Sequence, residues 1–329
     1  MKKIVSFFGE QTPIFERLNR DAEVYAATRG LQYKWSLQNP FNRENVIAEL
    51  KNSDAGIIDI EPYGEEIFKQ IGTSCRILTR FGVGYDQVDL KAASRHGIAI
   101  ARTVGANTNG VAEMAVMLML SALRQLKKNM GYVAAGDWKK DVVHEIGTST
   151  VGIMGYGAIG QRVSELLKGF GCRMVAYDPF PNRKAAEEKG VKFVSIEEFF
   201  QSSDVITIHI PYMKETHHLV DARLLGLMKP SAVLVNTARG NIVDEDALYR
   251  VLSKGKIAGA GFDVFASEPL PLSSPLLKLD NMILTPHVSS QTQESLWRIY
   301  KMAVDITADF FEGKEPHGIL NPDYKNGTV

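Results

Sequence analysis

The fold of this chain is decided by the stretch Thr150-Val-Gly-Ile-Met-Gly-Tyr-Gly-Ala-Ile-Gly-Gln161. Small and apolar residues are followed by Gly155, Gly157 and Gly160, and then by an amphipathic helical pattern. This order predicts a strand, a tight glycine turn and a helix. In such a unit the first glycine permits the turn, the second lets the backbone approach a pyrophosphate, and the third lets the helix pack closely on the strand. The helix N-terminus then faces the phosphates, so the three glycines are candidate dinucleotide contacts.

A carboxylate follows this unit where a ribose-binding acid is expected. The next apolar run, Arg173 to Tyr177, ends at Asp178, about 20 residues after the glycine turn. The Asp178 carboxylate can accept from a ribose 2′-OH and repels a 2′-phosphate, which favours NAD over NADP. Arg183 and Lys184 lie close enough to keep NADP as the alternative cofactor. Because the glycine turn and the acid occur together, we disfavour the simpler explanation of a tight βα turn whose Asp only caps a loop.

Composition and charge are typical of a globular protein with about two domains. The 329 residues are 45% hydrophobic and 23% charged, and acidic and basic residues balance at 38 each. This balance gives no indication of nucleic acid or a membrane surface as a partner. Cys75 and Cys172 are the only cysteines, which is typical of a cytoplasmic protein and too few for a disulfide framework. No pair of histidines has metal-ligand spacing, so no metal is expected.

Two series of alternating β-like and helical segments predict an α/β protein. The first series covers residues 1–103 and includes a strand at Ile4–Phe8 and a helix at Pro13–Thr28. The second series begins at Thr150 and continues to about residue 289. Alternation of this kind gives parallel sheets with helices on both faces. We therefore expect two doubly wound parallel-sheet domains.

The segments between and after the two series predict how the domains connect. One buried helix is expected over about residues 104–130, because its run from Val111 to Leu123 is apolar but too short to cross a membrane. A last helix is expected at Glu294–Phe311, and residues 321–329 are expected to fray. Residues 104–289 would then form a Rossmann-type domain inserted into a domain of residues 1–103 and 290–329.

Three segments follow predicted strands of the second series, at the edge where open α/β sheets bind ligands. They are Asn236-Thr-Ala-Arg-Gly240, Phe262-Asp-Val-Phe-Ala-Ser-Glu-Pro269 and Thr285-Pro-His-Val-Ser289. Arg239 can hold a substrate carboxylate and carbonyl oxygen with its forked guanidinium. His287 can give a proton to that oxygen as hydride arrives, or remove one in the reverse direction. Glu268 can hydrogen-bond the other ring nitrogen and fix the tautomer.

Each of these residues has a plainer explanation when taken singly. His287 could be an ordinary loop residue, Arg239 a surface salt-bridge partner and Glu268-Pro269 a simple turn. Their occurrence at successive strand ends beside a dinucleotide turn instead predicts oxidoreduction of a 2-oxo or 2-hydroxy acid. His209, just before Pro211, is a further candidate for the cofactor groove, with core packing as the equal alternative.

One glycine-rich stretch of the first series has a possible role of its own. Arg80-Phe-Gly-Val-Gly-Tyr-Asp86 follows a strand, and its N–H groups could form an anion-binding nest for a carboxylate. A tight βα connection explains the same residues equally well.

Together these motifs resemble those of the D-isomer-specific 2-hydroxyacid dehydrogenases, and more narrowly their phosphoglycerate dehydrogenase-like branch. The matching stretches are the glycine turn with Asp178, Asn236–Gly240, Asp263-Val-Phe with Glu268-Pro269, Pro286-His287, Arg80–Asp89 and Gly105–Glu113. The resemblance implies a Rossmann NAD domain inserted into a flavodoxin-like substrate domain. It also implies a homodimer formed through the helix and arm of about residues 104–146, with Trp138 reaching towards the neighbouring subunit's site.

The resemblance assigns residues to the reaction and to its ligands. Arg239, Glu268 and His287 take the catalytic roles given above. The expected cofactor contacts are Gly155, Gly157, Ala158, Ile159, Gly160, Asp178, His209, Pro211, Thr237, Ala238 and Asp263. The expected substrate contacts are Val83 and Gly84 on the carboxylate, Asn107 nearby, and Arg239.

Departures from the family pattern bear on the substrate. Asp59 and Glu61 stand where phosphoglycerate dehydrogenases commonly carry an arginine for the phosphate, which puts 3-phosphoglycerate behind glyoxylate and hydroxypyruvate. Ser289 and Ser290 replace glycines often found after the family's histidine. The alternative function is an NAD(H)-sensing binding protein of the corepressor type on the same scaffold.

Overall fold

A computed structural model of the protein describes residues 1–327, apart from the side chain of Ala185. The strands are β1 (Lys2–Ser6), β2 (Leu31–Trp35), β3 (Ala55–Ile58), β4 (Ile77–Arg80), β5 (Ala99–Arg102), β6 (Thr150–Met154), β7 (Arg173–Tyr177), β8 (Val191–Phe193), β9 (Val205–Ile208), β10 (Val233–Asn236), β11 (Gly259–Phe262) and β12 (Met282–Leu284). The helices are α1 (Pro13–Thr28), α2 (Arg43–Lys51), α3 (Glu65–Ile71), α4 (Leu90–Arg95), α5 (Thr108–Leu123), α6 (Leu126–Ala134), α7 (Ala158–Leu167), α8 (Arg183–Glu187), α9 (Ile196–Ser202), α10 (Ala222–Leu225), α11 (Glu245–Ser253) and α12 (Gln293–Phe311).

The chain divides into two compact units. Unit 1 contains Met1–Asn107 and the segment from Gln291 onward, and unit 2 contains Thr108–Ser290. The sequence had suggested boundaries after residues 103 and 289, within a few positions of these.

Unit 1 is a five-stranded parallel sheet in the order β2-β1-β3-β4-β5, which is the flavodoxin-like order. Adjacent residues of its central strands point to opposite faces, as in any strand. Ile57 packs on the face covered by α1 and α12, and Ile58 packs on the face covered by α2, α3 and α4. This is why all four residues of β3 are buried. The C-terminal helix α12 thus completes the N-terminal unit.

Unit 2 is a seven-stranded parallel sheet in the order β12-β11-β10-β9-β6-β7-β8. One face packs on α5 and α7, and the other packs on α9, α10 and α11. The chain reverses its direction of winding between β6 and β9, which is where doubly wound sheets bind their ligands. The predicted fold class, two parallel-sheet α/β domains with one inserted into the other, is confirmed.

The single helix expected over residues 104–130 is wrong. Gly105, with φ of +88°, belongs to the turn before α5, and the helix begins only at Thr108. It ends at Leu123, and Gln125 adopts the left-handed conformation with φ of +50° before α6 starts. The side chain of Asn129 donates to the carbonyl of Arg124 at 2.9 Å and so satisfies a group at the break.

The C-terminal tail is better ordered than the sequence suggested. Asn321 is buried, accepts from the Ile100 N–H at 2.7 Å and donates to the Ile98 carbonyl at 2.9 Å. A short 3₁₀ helix follows at Pro322–Asn326. The expected fraying is therefore wrong up to residue 327, and residues 328 and 329 lie outside the described part. Within residues 1–327, no helix has both the length and the apolar character needed to cross a membrane.

Candidate active site

The glycine turn lies between β6 and α7 at the carboxyl end of the unit 2 sheet. Gly155 has φ of +91°, and a Cβ there would lie 2.7 Å from the backbone nitrogen of Ile210. A Cβ on Gly160 would lie 2.2 Å from the carbonyl oxygen of Gly155. A Cβ on Gly157, in contrast, would meet nothing within 4 Å. Packing thus requires glycine at positions 155 and 160, whereas Gly157 leaves open space in front of the helix.

This open space fits the pyrophosphate of a dinucleotide. Gln161 donates the first hydrogen bond of the helix to the carbonyl of Gly157, so the N–H groups of Ala158 and Ile159 lie ahead of the intrahelical pattern. Such N–H groups and the helix dipole favour an anion. Asp178 is fixed beside the turn, because its carboxylate accepts from the Tyr156 N–H at 2.8 Å and from the Phe180 N–H at 2.8 Å.

His209 lies where the winding of the sheet reverses. Its N–H donates to the carbonyl of Met154 at 2.7 Å. Its ring nitrogens lie 2.9 Å from the Thr207 hydroxyl and 3.5 Å from the Thr237 hydroxyl. Burial lowers the pKa of His209 to about 3, so the ring is neutral at physiological pH. His209 and Thr237, both expected at the cofactor, are therefore neighbours.

Arg239 is held in a loop that the side chain of Asn236 organises. The buried Asn236 accepts from the Ala238 N–H at 3.0 Å and donates to the Arg239 carbonyl at 2.9 Å. A Cβ on Gly240 would lie 1.9 Å from the carbonyl carbon of Phe265, so this loop touches the one that carries Glu268. Sequence reasoning had given Asn236 no role. The signal in the sequence was its position at the end of a strand, because an asparagine side chain there can hydrogen-bond to the backbone of the following loop.

Glu268 and His287 form a direct pair. The Glu268 carboxylate lies 2.7 Å from Nδ1 of His287, and its other oxygen accepts from the Phe265 N–H at 2.9 Å. His287 has φ of +52°, in the left-handed region that non-glycine residues seldom occupy. Its N–H donates to the carbonyl of Asp263 at 2.8 Å. With Nδ1 engaged by the carboxylate, Nε2 is the ring nitrogen left for proton transfer.

The electrostatics of this pair favour an ionised Glu268. Burial by itself raises the pKa of Glu268, while the hydrogen bond and the charge of His287 lower it. The Phe265 N–H and the positive charge of Arg239 lower it further, and the net pKa lies below the usual carboxyl range. The anion then stabilises a protonated imidazole beside it.

Asp263 supports the turn that carries His287. Its fully buried carboxylate accepts from the Thr285 hydroxyl at 2.6 Å, the Val288 N–H at 2.9 Å and the Ser289 N–H at 2.8 Å. The Ser289 hydroxyl donates to it as well. The serine that departs from the family's glycine therefore binds the same carboxylate. The sequence had suggested Asp263 only as a cofactor contact.

Of the residues expected at the substrate, Val83, Gly84 and Asn107 lie in unit 1, whereas Arg239 lies in unit 2. Val83 and Gly84 follow β4 at the carboxyl end of that sheet, and the Val83 carbonyl is 3.4 Å from Nη1 of Arg102. The side-chain oxygen of Asn107 is buried and has no hydrogen-bond partner among the described residues. A buried acceptor without a partner is costly, so this oxygen fits a role in binding a ligand group.

Two acids follow β3 at the same edge of unit 1. Asp59 lies 3.2 Å from the buried Arg80. Burial raises the pKa of Glu61, and the charge of Asp59 raises it further. Arg80 compensates one of these two acids, so an anion brought here would still meet the partly buried Glu61.

The geometry defines a dinucleotide-dependent oxidoreductase, and comparison with known proteins agrees. The family model of the NAD-binding domain of D-isomer-specific 2-hydroxyacid dehydrogenases matches residues 116–289. The glyoxylate reductase of Korarchaeum cryptofilum is 36% identical over 88% of this chain and 89% of its own length. The D-3-phosphoglycerate dehydrogenase of Archaeoglobus fulgidus is also 36% identical, over 94% of this chain but only 58% of its own length.

Solved structures show the same fold over nearly the whole chain. That of D-2-hydroxyisocaproate dehydrogenase has a TM-score of 0.87 at 28% identity and covers 98% of this chain and 100% of its own. That of D-lactate dehydrogenase from Aquifex aeolicus, complexed with NAD and lactic acid, has a TM-score of 0.79 at 29% identity and covers 94% of this chain and 96% of its own.

The chain belongs to the D-isomer-specific 2-hydroxyacid dehydrogenase family. It is an NAD-dependent oxidoreductase of hydroxy and oxo acids. The predicted family, enzyme class and cofactor are confirmed. These matches support the enzyme over the alternative of a non-catalytic NAD(H)-binding protein.

Proposed function

We propose that the protein reduces a small 2-oxo acid to the D-2-hydroxy acid, with glyoxylate and hydroxypyruvate as the first candidates. The observation that carries this proposal is the 2.7 Å contact between Glu268 and His287 in a loop frame that also holds Arg239. Neighbouring relatives support the choice of acid, because several of them are named glyoxylate reductase at 32–37% identity.

Each of the three side chains has a separate task. Arg239 binds the substrate carboxylate and the carbonyl oxygen through its planar guanidinium, which places the carbonyl carbon. Nε2 of His287 donates the proton that this oxygen takes up, and in the reverse direction it accepts that proton from the hydroxyl. Glu268 stabilises the protonated ring through Nδ1 and holds its orientation. NADH, when bound, supplies the hydride.

The remaining assignments of site residues are also part of this proposal. Ala158, Ile159 and the glycine turn would hold the pyrophosphate, and Asp178 would hold the ribose. Pro211, Thr237 and Ala238 are proposed near the nicotinamide end with His209. In unit 1, the N–H groups of Val83 and Gly84 would bind the substrate carboxylate, and the unpartnered oxygen of Asn107 would accept from a substrate group.

We propose that the acids at the edge of unit 1 make 3-phosphoglycerate a less favourable substrate than smaller acids. Asp59 and Glu61 are two acids beside the single cation of Arg80, and the partly buried Glu61 is poorly suited to neighbour a phosphate dianion. A single carboxylate on a short neutral chain avoids that repulsion. We therefore propose that uncharged side chains are preferred on the 2-oxo acid.

A substrate panel tests this proposal. NADH oxidation followed by absorbance would be measured with glyoxylate, hydroxypyruvate, pyruvate and 3-phosphohydroxypyruvate, with His287→Ala as the matched inactive variant. We expect the highest kcat/KM for glyoxylate or hydroxypyruvate and a loss of at least about 100-fold in the variant. NADH binding without turnover on any acid, or equal rates with His287→Ala, would contradict the proposed chemistry.

We also propose a homodimer formed through the helix and arm of about residues 104–146. No residue of α6 is buried, and Met130, Val133, Trp138 and Val142 are 64%, 64%, 80% and 99% exposed. A large exposed apolar surface is typical of a protein interface. Light scattering of the purified protein should give twice the mass of 36.4 kDa, and a concentration-independent monomer would contradict the dimer.

The two buried free thiols are compatible with a cytoplasmic location, which we propose.

A further inference from the structure

Glu245 is the first residue of α11, yet its carboxylate bonds outside that helix. Its Oε1 accepts from the N–H of Ala266 at 2.7 Å, across 21 positions of the chain. The helix does not need Glu245 as a cap, because Asp244 already accepts from the Ala247 N–H at 2.9 Å. The contact of Glu245 therefore belongs to the loop that it reaches.

That loop is the one that carries Glu268. Two consecutive N–H groups of the turn each bind a carboxylate: Phe265 donates to Glu268 at 2.9 Å, and Ala266 donates to Glu245 at 2.7 Å. The first bond is internal to the turn, whereas the second ties the turn to α11. Without Glu245, the turn would lose its hydrogen bond to the helix.

The backbone beneath the turn connects it to Arg239 as well. A Cβ on Gly240 would lie 1.9 Å from the carbonyl carbon of Phe265 and 2.2 Å from the nitrogen of Ala266. Gly240 follows Arg239 directly, and the short 3₁₀ turn Gly240–Ile242 leads into Asp244 and α11. Backbone contacts and a hydrogen bond therefore connect three segments: the Arg239 loop, the start of α11 and the Glu268 turn.

We propose that Glu245 is a positioning residue, which fixes the Ala266 turn and thereby holds Glu268 in the orientation that meets His287. The proposal rests on the proposed function, because it assigns Glu245 to the same proton-transferring pair. The carboxylate of Glu245 is then a second acid near the Glu268–His287 pair, and its charge acts on that pair from a longer distance than the charge of Glu268.

The electrostatic effect of Glu245 on the Glu268–His287 pair depends on whether Glu245 is ionised, and three charged groups around it influence its pKa. They are Asp246 on its own helix, His218 from the segment before α10, and Glu268 from the turn. Burial raises the pKa of Glu245 above the usual carboxyl range, and the charges of Asp246 and Glu268 raise it further, whereas the Ala266 N–H and His218 lower it. When ionised, Glu245 adds negative potential near Glu268 and so favours the protonated imidazole of His287.

Three variants separate the hydrogen bond from the charge. Glu245→Ala removes both, Glu245→Gln keeps an acceptor for the Ala266 N–H, and Asp246→Asn removes an exposed charge from the same helix end as the matched control. We expect Glu245→Ala to lower kcat for 2-oxo acid reduction about 10- to 100-fold with KM for NADH changed less than about twofold, since small misplacements are costly in catalysis. Glu245→Gln should recover most of kcat, and its alkaline limit of activity should move to lower pH. Asp246→Asn should stay within about twofold of the wild type.

Hydrogen exchange of the backbone amides in residues 263–270, measured by mass spectrometry, gives a readout that does not depend on turnover. We expect faster exchange in Glu245→Ala and near wild-type exchange in Glu245→Gln. Equal kcat and equal exchange in Glu245→Ala and Asp246→Asn would overturn the proposal, as would a Glu245→Gln variant that is as impaired as Glu245→Ala. Parallel assays of His287→Ala and Glu268→Gln identify a failure of the proposed function itself, since those two variants would then turn over normally.

Discussion

Replacement of Asp263 by Asn tests whether this residue holds the His287 turn or mainly contacts the cofactor. The side chain is fully buried, and its two oxygens accept four hydrogen bonds, from Thr285, Val288 and both the N–H and the hydroxyl of Ser289. Asn has nearly the same shape, so the change creates no cavity. It removes the negative charge and turns one acceptor oxygen into a donor.

The expected cost follows from the donors. Each Asp263 oxygen faces one backbone N–H and one hydroxyl. The hydroxyl opposite the new NH₂ can rotate and accept, but the N–H of Val288 or Ser289 cannot. One N–H, that of the buried Ser289 or of the partly buried Val288, therefore loses its acceptor in either amide orientation, at about 1–3 kcal/mol, and the remaining bonds weaken because the acceptor is no longer charged. We expect a total loss of roughly 2–4 kcal/mol in the free energy of unfolding.

Urea titration followed by circular dichroism measures this loss, and steady-state kinetics measures its effect on the turn. The strained backbone of His287 depends on these bonds, so kcat for 2-oxo acid reduction should fall about 10- to 100-fold in Asp263→Asn. Ser289→Ala, which deletes only one hydroxyl donor, is the control and should cost about 1 kcal/mol. Unchanged stability and kcat, with a rise confined to KM for NADH, would show that Asp263 acts mainly on the cofactor.

Three further changes test other parts of the site. Glu268→Gln should move the alkaline limit of oxo-acid reduction to lower pH, because the protonated ring of His287 loses its anionic partner; a pH–rate profile unchanged from the wild type would refute the role of Glu268. Gly157→Ala should leave the urea midpoint unchanged and weaken NADH binding about 10-fold or more in a fluorescence titration, whereas Gly160→Ala should destabilise the fold, since its Cβ would lie 2.2 Å from a carbonyl oxygen. The folded-state pKa of His209, about 3, lies below its ordinary 6.5, so its stabilising contribution is complete above pH 6.5 and is lost as the pH falls below that value. Unfolding titrations of wild type and His209→Asn between pH 7 and 4 should differ by at most about 1.4 kcal/mol per pH unit, with the variant less sensitive to acid, and parallel curves would contradict the burial of the ring.

Much of the fold was predictable because its signals are local. The limits of α1, Pro13–Thr28, follow from the proline at its start and from the apolar spacing along it. The break at Gln125 was not predictable in this way, because Leu126 follows Leu123 at helical spacing and no glycine or proline lies between them. It depends on a left-handed residue and on the Asn129 side chain that reaches the Arg124 carbonyl.

In the candidate site, too, some features were predictable from the sequence and others were not. Arg239, Glu268 and His287 were identifiable because each follows a predicted strand, and parallel strands place their carboxyl ends at one edge. The contacts that hold them were not identifiable. Asn236 acts through its own loop, whereas Asp263 reaches Ser289 across 26 positions and Glu245 reaches Ala266 across 21.

By itself the sequence determined the two alternating series, the glycine turn and the set of reactive side chains. These features are local, because the strand period, the helix period and the glycine spacing each depend only on residues close together in the chain. Only the tertiary structure decided which acid supports the His287 turn and which acid reaches the Glu268 turn. Those choices depend on how closely separate loops approach one another. A hydrogen bond requires its two atoms to lie within about 3 Å, and that distance is set by the packing of the whole sheet and its helices.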